Sequence, residues 1–225
     1  MATSGTKTFA LTIADTIEEA YELAGLELRT GYDAETARRS LNIMFADWSN
    51  RGLNLWTIEQ VTTNLTSGTN SYTLNSYDLD IVSAIIRQID SASNTTDLQL
   101  TRIGRAEYLN IPDKSSTGRP TQYFLDRQTT PTVKLWPTPD STYTYRLVAN
   151  TIQRIDDVTA SAQDPEIPSR FMPCMASGLS YYIALKKNPE KAELLKMQYE
   201  QDFKLATDED RSRTSLHLVP SRSYI

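Results

Sequence analysis

Thiol and imidazole chemistry have one residue each in this sequence, Cys174 and His217. A nucleophilic pair needs the imidazole held beside the thiol, and His217 falls in the last stretch of the chain, far in sequence from Cys174. Cys174 sits among apolar residues at helical spacing and reads as an inert buried cysteine. A single cysteine also excludes an internal disulfide and a cysteine-only zinc site. The sequence has no Walker phosphate loop, no GxGxxG, no EF-hand loop and no HExxH motif. Its 28 acids would supply carboxylate pairs in any fold. However, Asp156-Asp157 and the run Asp208, Glu209, Asp210 read as solvated turns or tail, not as the acid and base of a glycosidase. No catalytic, cofactor-binding or metal-ligating residue is assigned. The expectation is a protein that is not an enzyme and takes no cofactor.

Charge narrows the remaining classes. The 225 residues carry 23 basic and 28 acidic side chains, a net charge of -5. Residues 1–55 hold 5 basic and 8 acidic groups, 56–158 hold 9 and 11, 159–207 hold 6 and 6, and 208–225 hold 3 and 3. None of these is the basic patch that phosphate binding requires, so specific nucleic-acid recognition is not expected. The tryptophans Trp48, Trp56 and Trp136 and most of the 12 tyrosines fall at core-compatible positions, which favours packing over base stacking. No stretch approaches the ~18 apolar residues of a membrane span, and the opening MATSGTKTFALTIADTIEEA lacks the apolar block of a signal peptide. A soluble protein with no membrane partner is expected.

The elements that would position any site follow from periodicity. Ile13, Ile17, Tyr21, Ala24 and Leu28 form one helical stripe, with Thr12 and Asp15 as a reciprocal cap and Gly25 as its end. A second helix is predicted to start at Asp33 and to bury Ala37, Leu41, Met44, Phe45 and Trp48 before the Asn50-Arg51-Gly52 stop. From 55 to 158 the texture is β. Strands are predicted at 56–65, 71–74, 81–89, 98–101, 121–125, 133–136 and 143–152, with a short helical turn at 104–110. In the last strand Tyr143, Tyr145, Leu147 and Ala149 should face the core and Thr144, Arg146 and Val148 solvent. Helical texture returns with Phe171, Met175, Leu179, Tyr182, Ile183 and Lys186. After Asn188 as N-cap and Pro189 it continues through Ala192, Leu195, Tyr199, Phe203 and Ala206.

The fold class read from this is α+β: a helical bundle built from both termini (1–54 and 159–207), an inserted antiparallel β-sandwich or barrel-like domain (55–158) and an extended C-terminal arm (208–225). The arm sorts its charges, three acids followed by Arg211, Arg213 and Arg222, and carries Leu216, Leu218, Val219, Tyr224 and Ile225 as apolar anchors for a partner. The acids Asp15, Glu18, Glu19 and Glu22 share one face of the first helix, equally readable as an ordinary solvated face.

Four segments in order, ARRSLNIMFADWSNRGLNLW (37–56), GRPTQYFLDRQ (118–128), LWPTPD (135–140) and DPEIPSRFMPCMASGLSYYIALKKNPEKAELL (164–195), resemble the head-to-tail adaptor, or tail tubular, proteins of tailed and especially short-tailed bacteriophages. The resemblance implies a structural virion protein at the head-tail junction, assembled in the host cytoplasm as a ring of twelve copies. Its implied partners are the portal protein above and the tail nozzle and fibres below, and its isolated subunits can stay monomeric. It also implies that Arg211 to Ile225 reach the portal and that Asp15, Glu18, Glu19 and Glu22 are candidates to face a DNA channel. Such a channel should repel phosphates or ignore them. Loops 90–97 and 112–119 become candidate docking loops. Two competing classes are a tail-associated peptidoglycan hydrolase, for which no catalytic carboxylate can be matched, and another nozzle or tail-completion component.

Overall fold

The computed structural model describes residues 11–51, 55–160 and 162–210. It contains five helices and antiparallel sheets, an α+β fold. Among these residues the chain divides into two compact units, one from the stretches up to Phe45 and from Asp157 onward, the other from Ala46 to Asp156.

The first unit is helical. Helix α1 (Ile13–Leu23) starts with the reciprocal cap read from the sequence: Thr12 Oγ1 accepts from the Asp15 amide at 3.2 Å, and the Thr12 amide donates to Asp15 Oδ2 at 3.1 Å. Its end is a Schellman motif. Gly25, at φ +70, donates to the Glu22 carbonyl, and Leu26 donates to that of Tyr21. The stripe therefore stops at Ala24, and Leu28 lies outside the helix, exposed. Helix α2 (Gly31–Arg51) begins two residues before the predicted Asp33. Thr30 receives the Asp33 amide on its side-chain oxygen at 3.3 Å, which leaves the Asp33 carboxylate to pair with Lys187.

Helix α4 (Met172–Lys187) is the central one, and its buried residues go all round it: Cys174, Met175, Ser177, Gly178, Leu179, Ser180, Ile183 and Ala184. A helix buried on every side cannot show a one-sided stripe. Its serines enter the core without leaving an unpaired hydroxyl, because Ser180 Oγ donates to the Ser177 carbonyl at 2.6 Å and Ser177 Oγ to that of Cys174 at 3.4 Å. Helix α5 (Pro189–Glu209) returns along α4 after one residue, Asn188. Asn188 is not the side-chain cap expected; its side-chain Nδ2 donates instead to the Ala24 carbonyl at 2.9 Å, tying the end of α1 to the turn. Helix α5 also takes in Asp208 and Glu209, and Asp210 is buried, so the predicted arm does not begin at 208.

Gly178 fixes how closely these helices pack. A Cβ there would lie 2.5 Å from Met44 Sδ and 2.7 Å from Tyr199 Cε2, so only glycine lets α2 and α5 approach α4 at this level.

The second unit has two four-stranded sheets. One orders β1 (Ile58–Asn64), β10 (Thr144–Gln153), β3 (Asp78–Ile89) and β4 (Thr95–Gln99); the other orders β2 (Ser71–Thr73), β8 (Thr132–Trp136), β7 (Gln122–Asp126) and β5 (Thr101–Arg102). Most pairs are antiparallel, but β5 runs parallel to β7, and β6 (Thr117–Gly118) runs parallel to β9 (Thr138–Pro139). One apolar cluster draws on both sheets, including Ile81, Ala84 and Ile86 from β3, Tyr145, Leu147 and Ala149 from β10, Tyr123 and Leu125 from β7, and Val133 and Leu135 from β8. Two positions on the last strand differ from expectation. Val148 is buried although Thr144 and Arg146, on the same face of β10, are exposed, so that face is covered only toward the strand's far end; Tyr143 precedes the strand and is exposed. An extra residue in β3, Val82, is displaced outward where the pairing shifts between Asn150↔Ser83 and Thr151↔Ile81. The short helix α3 (Arg105–Asn110) matches the predicted turn.

Two outcomes follow. Gly178→Ala should lower stability by about 2 kcal/mol in urea unfolding, overpacking outweighing the roughly 1 kcal/mol that alanine gains over glycine in a helix; an unchanged midpoint would contradict the close approach. The second concerns the ion pair that joins α2 to α4. The hydrogen bond from Lys187, followed by smaller contributions, holds the Asp33 carboxyl below the usual range, and the bond to Asp33 raises the Lys187 ammonium. The Asp33 contribution is thus present above the ordinary carboxylate pKa and lost as pH falls through the lowered folded value. The Lys187 contribution is present below the ordinary ammonium pKa and lost as pH rises through the raised one. Asp33→Asn should flatten the fall in Tm at both ends of a thermal-melt pH series.

Candidate docking surfaces

The four acids singled out on α1 do come together, and they line a groove. Asp15, Glu18, Glu19 and Glu22 form one side; Ser169 and Arg170, in the 3₁₀ turn Ser169–Phe171, and Met172, Pro173 and Ala176 of α4 form the rest, with Leu11 also lining it. The volume is about 720 Å³. Spacings of three, one and three residues keep these acids on one face, opposite the buried Ile13, Ile17, Ala20 and Tyr21. Asp15 is engaged by the Thr12 cap, whose hydroxyl donates to it at 2.6 Å and holds its carboxyl below the usual range. Glu18, Glu19 and Glu22 are exposed and make no ion pair among the described residues. Among the described residues Arg170 carries the groove's only positive charge, and that guanidinium is paired with the buried Asp210 just after α5. Carboxylates above an apolar surface suit a ligand that is both basic and apolar.

A second surface was missed in the sequence. Helix α5 buries Ala192, Leu195, Tyr199 and Ala206 on its inner side. Leu194, Met197 and Leu205 are 67%, 69% and 62% exposed. Their mean direction lies about 140° round the helix from that of the buried Ala192, Leu195, Tyr199 and Ala206, so α5 carries a second, outward apolar face. The spacing 194, 197, 201, 205, with Gln201 at the third place, is a readable helical stripe. The inner stripe alone accounts for a helix here, so the outer one adds nothing to the prediction of the element.

The two loops read as candidates in the β unit are held by their own bonds. In the first, Asp90 accepts from the Ala92 and Asn94 amides at 2.8 Å each, and Ser93 sits at φ 63. In the second, Asp113 accepts from Ser115 Oγ at 2.5 Å, Trp136 Nε1 donates to the Asp113 carbonyl at 2.9 Å, and Lys114 Nζ donates to the Leu109 and Ile111 carbonyls at 3.0 Å each. These loops are preorganised, which lowers the entropy cost of docking. The second also lines a small polar hollow of about 330 Å³ with Gly68, Asn70 and Thr138.

Cys174 is buried in α4, and among the described residues no group of three or more His, Cys, Asp or Glu is placed to hold a metal ion. No described helix is long and apolar enough to cross a membrane. The predicted portal-binding residues Arg211, Arg213, Leu216, Leu218, Val219, Arg222, Tyr224 and Ile225, and His217 with them, lie outside the described residues.

Comparison with curated proteins yields no match. The family model described as SU10 adaptor protein matches residues 12–220, nearly the whole chain and all four segments that carry the resemblance. This chain belongs to the SU10 adaptor protein family, and it is a structural adaptor of a bacteriophage virion, located at the head-tail junction.

Proposed function

We propose that the protein forms a closed ring, of twelve copies, that docks beneath the portal, continues the DNA channel and carries the tail nozzle and fibres, retaining the genome and then letting it leave. The observation that carries this reading beyond the family is the outer stripe of α5. Three large apolar side chains in helical register are costly in water, and a neighbouring copy in a ring would bury them in a head-to-tail contact that closes by rotation. The preorganised loops at 90–97 and 112–119 suit the role of platform, because a mechanical junction gains from surfaces that need no ordering. The net charge of -5 per copy suits a passage that does not grip a moving polyanion.

In this reading the protein acts by geometry, without catalysis. The C-terminal stretch supplies the portal contact, Arg211, Arg213 and Arg222 pairing with acids and Tyr224 and Ile225 filling apolar pockets. The isolated subunit stays monomeric, and the portal templates the ring.

Electron microscopy of the purified protein mixed with portal rings tests the assembly. The wild type should add a ring of density below the portal. Leu194→Glu with Met197→Glu should abolish closed rings, and Arg211→Glu with Arg213→Glu and Arg222→Glu should abolish attachment to the portal, each with an unchanged circular dichroism spectrum. Undiminished rings in the first variant would remove α5 from the ring contact, and undiminished attachment in the second would remove the arm from the portal contact.

A further inference from the structure

The groove between α1 and the start of α4 has no occupant among the described residues, and its chemistry is specific. It presents Asp15, Glu18, Glu19 and Glu22 above Leu11, Met172, Pro173 and Ala176. An occupant must be positively charged and apolar at once. The chain contains one stretch of that composition beyond the described residues: 211–225, with Arg211, Arg213 and Arg222, no acidic side chain, and Leu216, Leu218, Val219, Tyr224 and Ile225. The other terminal stretch, 1–10, offers only Lys7, with Met1 and Phe9 as its large apolar side chains.

Position agrees with composition. Residue 211 follows Asp210, which is buried and paired with Arg170, and Arg170 is itself part of the groove lining. The stretch therefore departs from the groove's own rim. Fifteen residues reach about 50 Å when extended, whereas Asp15 to Glu22 spans about 10 Å along a helix. The stretch is long enough to turn back and lie along the acids.

We propose that in the free subunit residues 211–225 lie in the α1–α4 groove of the same chain, the arginines against Glu18, Glu19 and Glu22 and the apolar side chains against Met172, Pro173 and Ala176. The groove is then a resting site that keeps a basic, apolar segment from binding other surfaces before assembly. Release of the segment uncovers four carboxylates on α1. The contact is electrostatic at its edge and weakens with salt.

The test uses the full chain at dilute concentration, without portal, so its result is separate from that of portal attachment. Ser223→Cys carries a nitroxide label; Cys174 is buried and stays unlabelled. With label and nitrogen-15 on the same molecules, diluted into unlabelled protein, amide signals of residues 15–22 and 169–176 should broaden. The broadening should be lost in Glu18→Lys with Glu19→Lys and Glu22→Lys, three exposed positions whose reversal leaves the circular dichroism spectrum unchanged. Absence of broadening in the parent overturns the proposal and leaves the groove to residues 1–10 or to another protein. Broadening seen only when label and nitrogen-15 are on different molecules also overturns it, assigning the groove to a second copy. Broadening that survives the triple reversal overturns the role of the glutamates.

Discussion

The helical unit depends on a clearance at one residue. Gly178 lies midway along α4, where the sulfur of Met44 and the ring of Tyr199 come so close that no Cβ fits between them. That closeness sets the depth at which α2 and α5 seat on α4, and the longer-range ties follow from it. Lys187 pairs with Asp33, Lys186 Nζ donates to Ser40 Oγ at 2.6 Å, and Asn188 holds the end of α1. The middle of α4 is buried all round, and its start faces the acids of α1 across the groove. Core packing thus determines where a docking surface can exist.

Helices α1 and α5 pack the core with one side and, in the proposed reading, offer the other for recognition. Helix α1 buries Ile13, Ile17 and Tyr21 inward and shows four carboxylates outward; α5 buries Leu195 and Tyr199 inward and shows Leu194, Met197 and Leu205 outward. A protein whose task is to be gripped by neighbours needs this division. Surface residues can then be specialised for contact without disturbing the core, and the core can hold those surfaces at fixed angles. Within the β unit the same logic appears in loops braced by Asp90 and by the Trp136–Asp113 bond.

Much of this was legible in the sequence. The stripes of α1 and α2, the Thr12–Asp15 cap, the strand positions and the helix at 105–110 follow from period and turn chemistry, which are local. The rest depends on neighbours. Ser177 and Ser180 are buried because each hydroxyl finds a carbonyl one turn back, which composition does not reveal. Val148 is buried while Arg146 on the same face is exposed, a difference alternation does not reveal, and the parallel pairs β5–β7 and β6–β9 arise from long-range topology. Asn188 gave up the cap its position suggested for a bond to Ala24, and Thr30 took the place of Asp33. The acids of α1 were visible as a face, but their partners across the groove, Met172, Pro173 and Ala176, became visible only in three dimensions. The family resemblance rested on segments that now map onto α2, β7 to β9 and α4 to α5, elements that form the cores of both units.

The central claim is that this protein works by surface fit as a closed ring at the head-tail junction. Cryogenic electron microscopy of the intact virion tests it most directly. The account predicts a ring of this chain between the portal and the tail, with Leu194 and Met197 of each copy buried against the next. Density for the chain elsewhere in the particle, or copies at the junction with that stripe facing solvent, would contradict it.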